Sequence, residues 1–170
     1  GTKTFSVTLQ TAGSAAITAK DAAAILTESA SPNITVIVNT ATKLQLLLPG
    51  EGAVAGKLTG TAGKTGTPSA RTAGTAFNVT VNAVDDWYNK VNVDPTVEIT
   101  TSDVNAAAVA QAPLVAGTKT YSVTLPTAGA TTVTASDVDG IPPLYAASVS
   151  PSVTVGVNTA VKLQLLMPGE

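Results

Sequence analysis

Apolar and polar residues alternate with a period of two along most of this chain. Phe5, Val7 and Leu9 share one face of the opening stretch, with Thr4, Ser6 and Thr8 on the other. The same pattern returns with Ala15, Ile17 and Ala19, with Ile34, Val36 and Val38, and with Leu44, Leu46 and Leu48. Its longest run carries Phe77, Val79, Val81 and Ala83 inward and Asn78, Thr80 and Asn82 outward, followed by Val97 and Ile99 around Glu98. A period of two is the signature of a strand with one face buried. Short turn signals such as Thr-Ala-Gly and Pro49-Gly50 separate the runs. The stretch from Lys20 to Pro32 is looser and leaves room for a short helical turn, and the Gly/Thr/Ala-rich passage from Glu51 to Gly74 reads as short edge strands and loops. Asp103 to Pro113 reads as a loop with room for one short strand. No convincing amphipathic helix appears. The pattern predicts an all-β chain of short strands, arranged as Greek-key β-sandwich units, with Phe77, Val79, Val81, Val97, Ile99, Tyr121, Val123, Leu125, Val133, Val155, Leu163 and Leu165 carrying the sandwich cores.

Two blocks of sequence occur twice. "GTKTFSVTLQTAG" at Gly1 returns as "GTKTYSVTLPTAG" at Gly117, offset by 116 residues. "NTATKLQLLLPGE", Asn39 to Glu51, returns as "NTAVKLQLLMPGE", Asn158 to Glu170, offset by 119 residues, so three residues are inserted between Asp137 and Pro151. This register divides the chain into three parts. Residues 41–158 make one complete sandwich, residues 1–40 supply the last strands of a preceding unit, and residues 159–170 supply the first strand of a following one. The partial units cannot close a core alone, so their apolar faces and strand edges are expected to be completed by adjoining chain. On this reading both ends are cuts through a longer repetitive polymer, its units joined either covalently or by strand donation between subunits.

Composition narrows the chemistry. Charged residues make up 12% of the chain, against about a quarter in an ordinary soluble domain. The surface is therefore expected to be neutral and rich in Thr, Ala, Gly and Asn. A net charge of −2 offers no basic field for nucleic acid. Histidine and cysteine are both absent, which removes the commonest general base, the commonest transition-metal ligand and any thiolate chemistry. With no convincing carboxylate pair either, an enzyme is not expected, and no cofactor is called for. No run has the length of a membrane span.

The runs "GTAFNVTVNAVDDWYNKV", "TVEITTSD", "GTKTYSVTLPTAGATTVTASD" and "NTAVKLQL" together resemble the bacterial Ig-like repeats of invasin- and intimin-type adhesins and other large surface proteins. The resemblance covers the complete unit and most of both partial ones. It implies Ig-like sandwiches strung into rods, stalks or spacers outside the cell. The chain departs from the family pattern at Trp87 and Tyr88, where small residues are common, and no ligand-binding residue carries over. The expected function is a structural part of an extracellular filament, stalk or surface fibre. The alternative is an adhesin or glycan-binding module, and a spacer of a surface enzyme stays open beside it. Expected partners are copies of the same unit, end to end through Leu44, Leu46 and Leu48 and their repeats Leu163, Leu165 and Met167, and laterally through neutral Thr and Asn rows. Glycans are the other partner class.

Candidate sites are few. Asp85, Asp86 and Asn89 form one acidic turn, and Asp137 with Asp139 another; such hard oxygen ligands suit calcium, and Asx turns account for them equally well. Asp137 corresponds to Asp21 in the first copy, where Asp139 becomes Ala23. Trp87 and Tyr88 are adjacent aromatics in a turn of an aromatic-poor chain, suited either to a sugar or subunit contact or to packing against the sandwich end. Asn33-Ile-Thr and Asn78-Val-Thr fit a glycosylation acceptor. "GTAGKTGT" around Lys64 has the look of a phosphate loop, but Leu58 stands where its first glycine belongs. Lys43 and Lys162 are out of phase with the leucines, as is Glu98, so the buried trio of an internal amide crosslink is not in evidence.

Overall fold

The computed structural model of the protein describes residues 1–56, 62–167 and 169. Leu58, which decides the phosphate-loop motif, lies outside them. The described chain is all-β, without a helix. Four short strands open it: β1 (Gly13–Ala15), β2 (Thr18–Ala19), β3 (Ser29–Ala30) and β4 (Ile34–Val36). Next come β5 (Lys43–Leu47), β6 (Glu51–Ala53), β7 (Lys64–Gly66), β8 (Arg71–Thr72), β9 (Ala76–Val84) and β10 (Thr96–Thr101). The chain then runs through β11 (Ala112–Pro113), β12 (Thr118–Thr124), β13 (Gly129–Thr131), β14 (Val133–Asp137), β15 (Ser148–Val149) and β16 (Val153–Gly156).

A β-sandwich is built from β5 onward. One layer has the order β12-β9-β5; the other is formed by β11-β10-β14-β15 together with β13-β16-β8, in which β8 runs parallel to β16. Alternation sets which residues meet between the layers. Phe77, Val79, Val81, Val97, Ile99, Tyr121, Val123, Leu125, Val133 and Val155 are all buried there, in one cluster with Leu44, Leu46 and Leu48. Each such side chain contributes about 1.5–3 kcal/mol on leaving water. β5 ties the layers together: it pairs with β9 along Lys43–Leu47, while the Leu44 amide donates to the Ala146 carbonyl at 2.9 Å on the opposite side.

Gln45 is the one polar side chain of β5 that is fully buried, and it is satisfied. Its Nε2 donates to the Gly63 carbonyl (2.7 Å), its Oε1 accepts from Asn82 Nδ2 (3.1 Å), and Asn82 Oδ1 accepts from Thr118 Oγ1 (2.7 Å). This chain fixes the β6–β7 hairpin onto the three-stranded layer. A buried polar group is tolerated only when paired in this way.

The two copies of the repeated sequence pair alike along β1 with β4 and β13 with β16. β1 pairs with β4 through Gly13↔Val36 and Ala15↔Ile34; β13 pairs with β16 through the corresponding Gly129↔Val155 and Thr131↔Val153. The Ile17 amide donates to Ser31 Oγ, which donates to the Pro32 carbonyl, and Val133, Ser150 and Pro151 repeat the arrangement. What differs is cover. Tyr121 is 4% exposed in the sandwich, whereas its counterpart Phe5 is 78% exposed.

At both ends of the chain, segments with a strand pattern are not strands. The stretch bearing Phe5, Val7 and Leu9 forms no strand, because its counterpart β12 exists by pairing along β9, and no strand of residues 1–40 takes that place. Leu163 and Leu165, expected to enter the core of a following unit, are exposed in this chain, as is Met167, and residues 161–167 form no strand. The same Lys-Leu-Gln-Leu-Leu sequence is buried in β5, where Leu46 is 0% exposed against 85% for Leu165. Leu44, Leu46 and Leu48, expected at an end-to-end contact, lie inside their own unit's core.

Candidate functional site

The turn between β9 and β10 is where the opening segment meets the sandwich. After β9, the Tyr88 amide donates to the Asp85 carbonyl at 3.0 Å and the Asp85 amide to the Asn89 carbonyl at 3.0 Å, closing a tight loop. Tyr88 takes a left-handed conformation (φ 61°), a place usually given to Gly or Asn. Its ring is held from two sides. Lys43 Nζ sits 4.0 Å from the ring centroid, and the ring lies so close to Gly63 that any side chain there would overlap it.

Asp85 is 1% exposed and organises the turn. Its Oδ1 accepts the amides of Trp87 and Asn89, both at 2.9 Å, an Asx-type arrangement. Its Oδ2 accepts the amide of Asn39 at 3.1 Å, from the chain entering β5. Asn89 continues the contact: its Nδ2 bonds the Asp85 carboxylate and also donates to the Gln10 carbonyl at 2.9 Å, while its Oδ1 accepts the Ala12 amide at 2.8 Å. Trp87 lines a cleft of about 280 Å³ with Leu9, Val36, Ile37 and Val38, and its carbonyl accepts the Gly56 amide at 2.7 Å. Gly56 lies against Thr11 with no space for a side chain. Three positions of one turn, Asp85, Trp87 and Asn89, thus grip both loops at the end of the opening segment.

The sequence reading singled out Asp85, Asp86, Trp87, Tyr88 and Asn89, and the structure brings all five into this turn. Trp87 and Tyr88 are half-buried against the protein's own chain. Asp86 is exposed and accepts the Thr42 hydroxyl at 2.7 Å, while its carbonyl accepts from Lys43 Nζ at 3.0 Å. The receiving residues Gln10, Ala12 and Asn39 were not foreseen. Asn39 had a signal in the sequence, its recurrence as Asn158 at a unit boundary.

Asp137 and Asp139 form a separate corner in the inserted loop. Asp137 Oδ2 accepts the Tyr145 amide at 3.0 Å, and Asp139 Oδ1 accepts the Ile141 amide at 2.8 Å. Burial, then the charges of Asp137 and Asp139, raise the Tyr145 hydroxyl above its ordinary range. As calcium candidates, both acidic turns direct their oxygens at N–H and O–H donors of the chain, and among the described residues no group of three or more carboxylates is arranged to hold a metal ion. Lys64 is buried in an ion pair with Glu51 at 3.4 Å, while Glu51 Oε2 also accepts the Leu48 amide, so this lysine is engaged within the β6–β7 hairpin. Glu98 accepts from Gln111.

Compared with protein-family models and with curated proteins, the chain matches none.

Proposed function

We propose that this protein is a structural component of an extracellular filament, stalk or surface fibre, in which Ig-like sandwich units repeat along one axis. One observation carries the reading: identical or near-identical sequence is core in one place and bare in the other. Lys43–Leu47 is a buried strand and its repeat at residues 162–166 is not; Thr118–Thr124 is a buried strand and its repeat at residues 2–8 is not. Segments with the pattern of core strands are satisfied by a neighbouring unit of the same kind. A sequence low in charge and rich in Thr and Asn favours lateral packing with little repulsion. The place outside the cell rests on the resemblance to bacterial surface repeats. The design is additive, since each unit supplies its own core and each joint a smaller interface.

The adhesive alternative drew on Trp87, Tyr88 and the acidic turns. Trp87 and Asp85 meet the protein's own opening segment, and the Tyr88 ring is held by Lys43 and Gly63, which favours the structural reading over the glycan-binding one.

Electron microscopy of the native material, beside its mass under denaturing conditions, tests the proposal. Beaded threads from a chain of many unit masses mean covalent repetition. Threads from a chain of one unit's mass mean strand donation between subunits. Isolated particles without threads contradict the filament.

A further inference from the structure

The opening segment and the far end of the sandwich carry corresponding receiving loops, and among the described residues only the first pair is occupied by a turn. Gln10–Ala12 corresponds to Pro126–Ala128, and Ile37–Asn39 to Gly156–Asn158. In the occupied copy Val38 is 41% exposed; in the other, Val157 is 81% exposed, and Pro126, Thr127 and Ala128 are exposed as well.

The uncovered pair is already shaped for a partner. Asn158 Oδ1 accepts the Thr159 amide at 2.7 Å, as Asn39 Oδ1 accepts the Thr40 amide at 2.8 Å, so the asparagine makes the same local hydrogen bond in both copies, and Asn158 Nδ2 also donates to the Ala73 carbonyl at 3.2 Å. Asp103 fixes the other loop: its Oδ2 accepts the Thr127 amide at 2.9 Å and its Oδ1 the Asn105 amide at 3.1 Å. Beneath the loops, β13 and β16 pair in the register of β1 and β4. A receptor that needs little ordering loses little of its binding energy to entropy.

We infer that Pro126–Ala128 and Gly156–Asn158 form the docking surface for the Asp85–Asn89 turn of a second copy of this unit. The incoming Asp85 carboxylate accepts the Asn158 amide, and the incoming Asn89 side chain bridges the Pro126 carbonyl and the Ala128 amide. Trp87 covers Val157. The exposed Val161, Leu163 and Leu165 then continue directly into the second copy, where they occupy the position of β5. The joint is thereby fixed in rotation as well as in spacing, because two loops on one side meet two arms of one turn on the other. This rests on the reading that a further unit follows in the same chain.

The test compares the full chain with the same chain extended in frame after Glu170 by a second Gly52–Glu170, using residue-resolved amide hydrogen exchange. The expected result is at least a tenfold slowing at the Asn158 and Ala128 amides in the extended chain. Asp85→Asn in the second copy alone keeps the acceptor for the turn's own amides and turns a donor toward Asn158, so it reverses the slowing at Asn158. Asn89→Ala in the second copy reverses it at Ala128. Protected amides at Val79, Val81 and Val123 of the second copy establish that each variant is folded; if one variant unfolds, the other amide still reports its own contact. A folded second copy with Lys162–Leu166 protected, but with Asn158 and Ala128 exchanging as in the single chain, overturns the joint and leaves the repeating filament standing. Unprotected Lys162–Leu166 overturns both.

Discussion

The Asp85 carboxylate accepts the backbone amide of Asn39 at 3.1 Å across a separation of 46 residues, joining the β9–β10 turn to the chain that enters β5. Asp85 itself is buried, and the same carboxylate holds the Trp87 and Asn89 amides. Asp85→Ala therefore strips several amides of their acceptor at once, and buried unpaired donors are costly. It is expected to destabilise the protein by about 3 kcal/mol, read from urea unfolding. A loss under about 0.5 kcal/mol would show that water replaces the carboxylate without penalty.

Asn89→Ala acts more narrowly. It removes the bonds to Gln10 and Ala12 while leaving Asp85 to hold the turn. Limited proteolysis is expected to cut the opening segment several-fold faster in the variant, with the sandwich itself unaffected. Unchanged cleavage would mean that the Trp87 cleft alone retains the segment.

Much of this was legible beforehand, because the sandwich core obeys strict alternation: the ten positions from Phe77 to Val155 expected inward are inward. Strand identity at the ends was not legible. The residues around Phe5 and Leu163 carry a strand pattern, but a strand exists only with a partner edge, and pairing is not a property of the segment alone. The joint was half legible. Asp, Trp and Asn in one turn stood out by composition, whereas their partners are backbone groups of Gln10 and Ala12, which leave no mark on side-chain pattern.

The repeat allows a controlled comparison of identical substitutions. Leu46→Ala empties a fully buried position and is expected to cost about 2–5 kcal/mol. Leu165→Ala, in the same local sequence, is expected to cost less than about 0.5 kcal/mol in this chain. Calorimetry of the two variants checks the difference. Equal losses would mean that the second copy is packed as the first is.

Tyr121 makes the core sensitive to alkali. Burial pushes its hydroxyl up to about 12 from 10.0, and the hydroxyl donates to the Ala112 carbonyl at 2.8 Å. The folded state thus keeps a proton that the unfolded chain releases near pH 10, so this residue's contribution is intact below pH 10 and is lost as the pH rises toward 12. Tyr121→Phe is expected to lose about 1 kcal/mol at neutral pH, with the missing hydrogen bond. It is also expected to flatten the fall in stability between pH 10 and 12, followed by denaturant titration at each pH. A variant that falls as steeply as the parent would place the alkaline transition elsewhere.

The central claim is that one sequence is core where a unit is complete and bare where its neighbour is missing. Hydrogen exchange read by mass spectrometry tests it most directly, since Leu48 and Met167 distinguish the two copies of the strand peptide. In the isolated chain, Lys43–Leu47 is expected to be protected and Lys162–Leu166 to exchange at once. In native assembled material both should be protected alike. Rapid exchange of Lys162–Leu166 in the native assembly would contradict the account.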